Sequence, residues 1–449
     1  MVKILYQNII MLSFQINANS KKNLFNFLMI LFPFSFIAGN MLININLILL
    51  TLIGLFFFSK DLIKIKFILL DKLFISFFFL ILLTGLINDY EFFIQGLDDW
   101  MGFFPTTVRS ILFLKYLLFY LIIRILISKQ IINFKLFFTS CAMAALFVSF
   151  DIFIQFIFDV DIFGYEAKGR HYSGPFGDEK IAGGFIQRFF IFALFILPIF
   201  YNKFKNSKLI IPMLIIIFFF AILLSGNRMP LLLFLFSLII TSIIMREFRK
   251  YLIALILLII LSVSIIINLK FEGNKIGSNI YTFNKQISDM YSFIVLDSKN
   301  ISESKSQYLK EFYSSYGTWE LNKFIGGGLK NFRYYCHVRD KKHYISGFTC
   351  NMHPHNYYLE ILTETGVIGG IIILMILFNI LYLINSKKII FSSKLQYNYF
   401  VIPFIILLIT EFFPIRSSGS FFTTNNATYI FLITAIFVGI IRKKNLKKN

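Results

Sequence analysis

The chain has 449 residues, of which 57% are hydrophobic and 15% are charged, and 60 of them are phenylalanine. A water-soluble protein of this composition would expose large apolar patches and aggregate, so we exclude a soluble globular protein. Apolar runs of about 18 or more residues recur along the chain, and each is long enough to cross a hydrocarbon core of roughly 30 Å. The composition therefore predicts an all-α protein that crosses a membrane many times.

The formal net charge of +21 raises the question of nucleic-acid binding. Such binding requires one contiguous basic face. The basic residues instead form short clusters between apolar runs, at 60–66, 203–208, 246–250, 387–388 and 442–448. Basic clusters on alternate connections are typical of cytoplasmic loops in membrane proteins. We therefore exclude nucleic acid as a partner and predict that these clusters and both termini are cytoplasmic.

The apolar runs predict a single integral membrane domain over residues 1–449, with about twelve transmembrane helices. They lie near 24–39, 41–58, 67–87, 109–127, 134–157, 184–200, 208–225, 229–245, 251–269, 366–385, 398–414 and 424–441. With the basic clusters inside, the outer connections are near 40, 88–108, 158–183, 226–228, 270–365 and 415–423. All five histidines then lie on the outer side, at His171, His337, His343, His353 and His355.

The segment 270–365 is the longest hydrophilic stretch of the chain. We expect it to be a large outer loop with short helices, one of them between Tyr308 and Trp319, and long structured loops are usually functional. Cys336 and Cys350 share this loop, so a disulfide between them is plausible if it faces an oxidising compartment. Cys141 lies in an apolar run and is expected to be a small core residue.

His353-Pro354-His355-Asn356 ends this loop, and Gly366, Gly369 and Gly370 follow in the next apolar run. An imidazole titrates near neutral pH and can take a proton from a hydroxyl group. The other interpretation is an ordinary helix start, with Asn356 as its cap and glycines that allow close helix packing. Glu360 and Glu364 stand one helical turn apart. They either orient His355 or an acceptor, or face water, and we favour water.

Arg228 lies in the short outer connection Ser225-Gly226-Asn227-Arg228-Met229-Pro230. An arginine at the bilayer surface is costly unless it has a partner. A diphosphate is a natural partner because the guanidinium group offers paired donors to phosphate oxygens. Alternatively, the side chain extends to the lipid headgroups.

The pattern His355-Asn356, nine residues, then Gly366-x-x-Gly369-Gly370 resembles the signature of the O-antigen ligases and the related O-antigen polymerases. The glycine turn Gly326-Gly327-Gly328 upstream and a long loop between late helices also match. The motifs cover residues of about 220–370. The resemblance implies a GT-C-like membrane glycosyltransferase that uses a glycan on undecaprenyl diphosphate and needs neither cofactor nor metal.

The resemblance also implies roles for individual residues. His355 would be the catalytic base and Arg228 a diphosphate ligand, while Asn356, Glu360 and His353 would orient the acceptor. The family has a second loop arginine, which residues 304–310 lack. Either Lys310, Arg333 or Arg170 takes its place, or these three are solvated loop cations. Asp159-Val160-Asp161 has the form of a metal-binding Asp-x-Asp, but the pattern is too common to be diagnostic and we expect no metal there.

With this resemblance, the expected function is that of a ligase that transfers polysaccharide to lipid A–core, with inversion, on the periplasmic face of a bacterial inner membrane. The histidine-to-glycine spacing favours ligase over polymerase, whose acceptor would be a second lipid-linked repeat unit. A flippase or transporter is a more distant alternative. Transporters usually place polar residues at mid-membrane. Here the runs are almost purely apolar, which favours catalysis at the membrane surface over transport.

Overall fold

The computed structural model describes residues 18–94, 105–167, 171–201, 204–245, 249–257 except 251 and 254, 307–338, 350–386, 395–416 and 419–446. Within these ranges the chain is built from helices. They are α1 (Ala18–Ala38), α2 (Asn40–Ile63), α3 (Leu69–Ile94), α4 (Pro105–Phe113), α5 (Lys115–Ser128), α6 (Phe134–Phe158), α7 (Ala182–Ile196), α8 (Phe204–Leu224), α9 (Arg228–Ile244), α10 (Gln307–Trp319), α11 (Phe332–Val338), α12 (Tyr357–Ser386), α13 (Leu395–Glu411) and α14 (Thr424–Leu446).

Seven helical segments of the described residues are long and apolar enough to cross a membrane. This finding confirms an all-helical, polytopic architecture. Most of the predicted spans coincide with a helix, but the one at 251–269 lies largely outside the described residues. The number of twelve and the GT-C-like arrangement therefore stay predictions. The seven segments are Asn40–Ile63, Leu69–Glu91, Pro105–Ser128, Phe134–Phe158, Ala182–Phe200, Tyr357–Asn385 and Thr424–Arg442.

Local sequence sets several helix boundaries. Asn133 caps α6, because its side-chain oxygen accepts hydrogen bonds from the backbone N–H groups of Lys135 and Leu136 at 3.1 and 3.3 Å. Gly39 has a φ of +99°, which allows α1 to turn directly into α2. Short connections of this kind make consecutive helices neighbours in space.

Aromatic side chains fill the space between the helices. Phe138 of α6, Phe192 of α7 and Phe404 of α13 form a triangle with ring centroids 4.9, 5.6 and 5.9 Å apart. Edge-to-face contacts at these distances stabilise aromatic pairs beyond the area they bury. The high phenylalanine content therefore goes largely into helix packing.

The expectation that the membrane runs are almost purely apolar is wrong. Asp71 of α3 and Arg124 of α5 are 1% and 3% exposed and form an ion pair. Asp151 and Gln155 of α6 and Arg188 of α7 are also buried. Charges are tolerated inside apolar helices when they pair with one another, and each such pair ties two helices together.

The glycine turn at 326–328 docks onto a break in α12. Gly366 has a φ of +64° within this helix. Backbone N–H groups of Gly327 and Gly328 donate to the carbonyls of Thr363 and Glu364, each at 2.9 Å. A Cβ on Gly366 would lie 2.2 Å from the Phe324 carbonyl oxygen. The expected role of Gly366 in helix packing within the membrane is therefore wrong: it admits the loop backbone.

Candidate functional site

A cavity of about 670 Å³ lies where the first residues of several helices meet. Asn40 begins α2, Arg228 begins α9, and Asn425 is in the first turn of α14. Lys180 and Gly184 line it beside the start of α7. Helix N-termini carry unsatisfied N–H groups and partial positive charge, so their convergence favours an anionic ligand.

Arg228 lines this cavity, and the turn that carries it is fixed to α7. The Asn227 side chain accepts a hydrogen bond from Gly183 N–H and donates one to the Lys180 carbonyl, both at 2.9 Å. His171 Nδ1 lies 3.2 Å from the Ser225 carbonyl oxygen. The turn thus holds the Arg228 backbone rigidly at the cavity wall.

Two further arginines, which the sequence analysis missed, also line the cavity. Arg188 of α7 and Arg416, which follows α13, share the carboxylate of Glu411. Arg188 Nη2 lies 2.5 Å from Glu411 Oε1, and Arg416 Nη1 lies 2.6 Å from Oε2. Two guanidinium groups around one carboxylate leave this cluster with a positive charge. With Arg228 and Lys180, and against Glu179, the cluster gives the cavity a net positive charge.

Neighbouring polar and aromatic groups fix the Arg188 guanidinium. It donates to the side-chain oxygens of Asn425 and Asn426 at 2.9 and 2.6 Å. Its Cζ atom lies 4.6 Å from the centre of the Tyr429 ring. Tyr357 at the start of α12 donates to Glu411 at 3.0 Å. A buried charge with this many partners is preorganised, so it can meet an anion without rearrangement.

The sequence contained a signal for Arg188. It stands in the apolar run that becomes α7, and a charge in such a run is a candidate functional residue by itself. The sequence could not predict its ion-pair partner, since Glu411 lies 223 residues further along the chain. Arg416 follows an exposed connection and looks like a loop cation in the sequence.

Of the two histidines in the motif, His353 lines the cavity and His355 lies beside it. Their ring centroids are 4.9 Å apart. Burial, and secondarily the proximity of His355 and Lys330, lowers the pKa of His353 to about 4, so this imidazole is neutral at pH 7. Its Nε2 atom is buried and has no hydrogen-bond partner among the described residues. The structure thus brings His353 and Arg228 to one cavity.

Asn356 and Glu360 hold the chain around Arg416. Asn356 caps α12 by accepting from the N–H of Tyr358 at 2.9 Å, and its amide donates to the Arg416 carbonyl at 3.3 Å. Glu360 accepts from Phe421 N–H at 2.5 Å. Neither is among the described residues that line the cavity. Both side chains instead position the connection between α13 and α14.

The preference for water around Glu360 and Glu364 is wrong, because both side chains are 0% exposed. The first turns of α12 are covered on one side by Phe421 and on another by the docked glycine turn. Arg109 and Lys330 lie close enough to Glu364 for their charges to act on it. The docked turn is therefore what removes this helix face from solvent.

The candidates for a second phosphate ligand lie elsewhere. Lys310 on α10 is half-buried and Arg333 on α11 is exposed, and neither is a described lining residue of the cavity. Arg170 lies outside the described residues. The Asp161 carboxylate accepts from the N–H groups of Phe163 and Tyr165 at 3.0 and 2.6 Å, so it shapes its own turn.

The segment that precedes α12 contains a disulfide between Cys336 of α11 and Cys350, whose Cα atoms are 5.8 Å apart. It fastens α11 to the segment that leads directly into His353. Cys141 is free and buried in α6. The disulfide therefore holds the residues just before His353 close to α11.

Residues 213–374 match a family model described as O-antigen ligase. This match, over about a third of the chain, supports a relation to the O-antigen ligases and polymerases. No curated protein was found to match the chain. The O-antigen ligase match includes Arg228, the docked glycine turn, His353 and Gly366, whereas Arg188, Glu411 and Arg416 lie outside it. The cavity therefore combines residues of the matched segment with groups from flanking helices.

Proposed function

We propose that this protein transfers a polysaccharide from undecaprenyl diphosphate to lipid A–core on the periplasmic face of the inner membrane. One observation carries the proposal: Arg228, Arg188, Arg416 and His353 line a single cavity at the helix N-termini. Such a cavity suits a diphosphate on one side and a hydroxyl group on the other. Lipid-anchored donor and acceptor also meet with less loss of entropy than free molecules.

In this proposal the cationic cavity wall binds the diphosphate. Arg228 offers paired N–H donors to phosphate oxygens, and the Arg188–Glu411–Arg416 cluster supplies further positive charge. Negative charge develops on the leaving diphosphate as its bond to the anomeric carbon breaks. Fixed cations placed where charge develops lower the barrier of such a step, so neither metal nor nucleotide is needed.

His355 is proposed as the general base and His353 as the group that orients the acceptor. The acceptor oxygen attacks the anomeric carbon, its proton passes to the imidazole of His355, and undecaprenyl diphosphate leaves from the opposite face. The configuration of that carbon is thereby inverted. His353 lines the cavity and its imidazole is neutral, which suits a hydrogen bond to the acceptor hydroxyl.

Two observations support a periplasmic site. Disulfides persist in oxidising compartments, and the Cys336–Cys350 bond lies in the chain segment that precedes His353. The basic clusters at 60–66 and 442–448 begin in the last turns of α2 and α14, at the helix ends remote from the cavity. Basic residues of this kind favour the cytoplasmic side.

The lipopolysaccharide profile of a deletion strain tests the reaction and its acceptor. Polymer that accumulates on its lipid carrier supports a ligase. Lipopolysaccharide with a single repeat unit supports the polymerase instead, and an unchanged profile contradicts both. Complementation with His355→Ala and His353→Ala, each checked for membrane expression, then tests the roles. We expect a loss of transfer of about 10²–10⁴-fold for the base; full transfer by His355→Ala would refute its assignment.

A further inference from the structure

A second cavity, of about 280 Å³, lies at the other end of the same helices. α2 begins at the first cavity with Asn40 and reaches the second with Asp61, and α14 runs likewise from Asn425 to Arg442. The end of α5 forms another wall. The two cavities are therefore separated by roughly the length of a membrane-crossing helix.

The lining of the second cavity is predominantly cationic. Its charged residues are Asp61, Lys64, Lys66, Arg124, Lys129 and Arg442. Lys129 pairs with Asp61 at 2.8 Å, and Arg124 pairs with Asp71 behind the wall. These two carboxylates offset the charges of Lys129 and Arg124. The other three cations, Lys64, Lys66 and Arg442, therefore give the cavity a net positive charge.

Exposed lysines at helix C-termini have an ordinary explanation, since they complement the helix dipole and follow the positive-inside rule. Arg124 does not fit that explanation, because its side chain is only 3% exposed. Its Nε–H is buried and has no hydrogen-bond partner among the described residues. That atom is covered by protein, but Arg124 also lines the cavity, so its guanidinium group presents donors there to an acceptor group in a ligand.

The surroundings of the cavity are apolar and exposed. Ile63, between the lining residues Asp61 and Lys64, is 84% exposed. Phe67 and Leu69, which follow Lys66, are 45% and 59% exposed. A ligand that meets both the cations and these side chains must join an anionic head to an apolar tail. Inorganic phosphate would use only the first of these features.

We propose that this cavity binds the phosphate headgroup of an anionic phospholipid from the leaflet opposite the first cavity. The phosphate would accept from the Arg124 guanidinium and from Lys66 and Arg442, while the acyl chains would cover Ile63 and Phe67. Basic pockets between transmembrane helices are a recurrent form of lipid headgroup site. The proposal does not depend on the reaction at the first cavity.

Thermal unfolding of the purified full-length protein in detergent, with added lipid, tests this site. We expect phosphatidylglycerol to raise the melting temperature, and phosphatidylcholine and inorganic phosphate at equal concentration to leave it unchanged. Each cation removed should weaken phosphatidylglycerol binding about fivefold, so the double variant Lys66→Gln/Arg442→Gln should bind about 25-fold more weakly. The matched control is Lys72→Gln, an exposed lysine of α3 that is not a described lining residue.

The double variant avoids the buried Asp71–Arg124 pair, so the native fold is expected to remain. Equal phosphatidylglycerol binding by the double variant and the wild type would overturn the proposal. Stabilisation of the wild type by inorganic phosphate to the same extent as by lipid would overturn the lipid assignment. An equal loss of binding in Lys72→Gln would show a general charge effect and would also overturn the site.

Discussion

At the scale of single residues, the Glu411 carboxylate is the centre of the candidate site. It accepts from Arg188 at 2.5 Å, from Arg416 at 2.6 Å and from Tyr357 at 3.0 Å, and it is 1% exposed. A buried ion pair adds little net stability over apolar packing, but removal of one member leaves an uncompensated charge. Glu411 therefore allows two guanidinium groups to coexist at the cavity wall.

Replacement of Glu411 tests this arrangement. Glu411→Gln keeps the shape of the side chain but leaves two buried cations without a counter-charge, and we expect it to lower the free energy of unfolding by about 3–5 kcal/mol. Denaturant unfolding in detergent measures the change. The control Arg333→Gln removes an exposed charge and should change it by less than about 0.5 kcal/mol. Equal effects of the two variants would show that the cluster is not coupled.

The lowered pKa of His353 has a consequence for stability against pH. The folded protein holds the pKa near 4, below the ordinary value of about 6.5, because burial disfavours the charged form. The unfolded chain therefore binds the proton more readily. The contribution of this side chain to the free energy of unfolding is fully present above pH 6.5 and is lost as the pH falls through about 4.

His353→Gln removes this contribution. We expect its melting temperature to fall less than that of the wild type between pH 7 and pH 4.5, with Arg333→Gln, which removes an exposed arginine of α11, behaving as the wild type. Scanning fluorimetry in a series of buffers measures the difference. Parallel profiles of all three proteins would contradict a neutral, buried His353.

At the scale of elements, the break in α12 is what joins the glycine turn at 326–328 to the bundle of apolar helices. The glycine turn donates from Gly327 and Gly328, and α12 donates back from Val367 N–H to the Lys323 carbonyl at 2.9 Å. On Gly326, a Cβ would lie 2.4 Å from the Glu364 carbonyl carbon. The two backbone segments are in direct contact here, so there is no room for a side chain at Gly326 or Gly366.

Substitution of two glycines with positive φ distinguishes the effect of this close approach from the effect of backbone strain alone. Gly366→Ala combines a left-handed conformation with a clash against Phe324, whereas Gly39→Ala has the conformation but no atom within 4 Å of the new Cβ. Both glycines combine positive φ with ψ near 180°, and a non-glycine residue held there costs about 1–3 kcal/mol. We expect this loss of unfolding free energy for Gly39→Ala and a clearly larger one for Gly366→Ala. Equal losses in denaturant unfolding would contradict the docked turn.

At the scale of the whole molecule, the two ends of the helix bundle differ in chemistry. One end has the 670 Å³ cavity, a set of helix N-termini and the disulfide, and the other has the 280 Å³ cavity and exposed lysines. A protein that works between two compartments requires this kind of asymmetry. The redox state of the cysteines reports which end meets the oxidising side.

Thiol counting measures that state in the cell. If the loop is periplasmic, cells lysed directly into denaturant with a maleimide should show one reactive thiol, Cys141, and all three after reduction. Mass-tagged gel shifts distinguish the two numbers. Three reactive thiols without reductant would contradict both the disulfide and the oxidising location.

The sequence by itself determined the features that depend on short stretches of chain. Hydropathy identified most of the apolar helices, the short connection at 225–230 singled out Arg228, and the end of the long polar segment with its glycine pattern singled out His353 and His355. Only the tertiary structure decided what depends on distant partners: Glu411 between two arginines, Gly366 beneath a loop, and the burial of Glu360. The physical reason is that apolar runs and caps are set by neighbours along the chain. Charge pairing and close backbone approach are set by packing between helices.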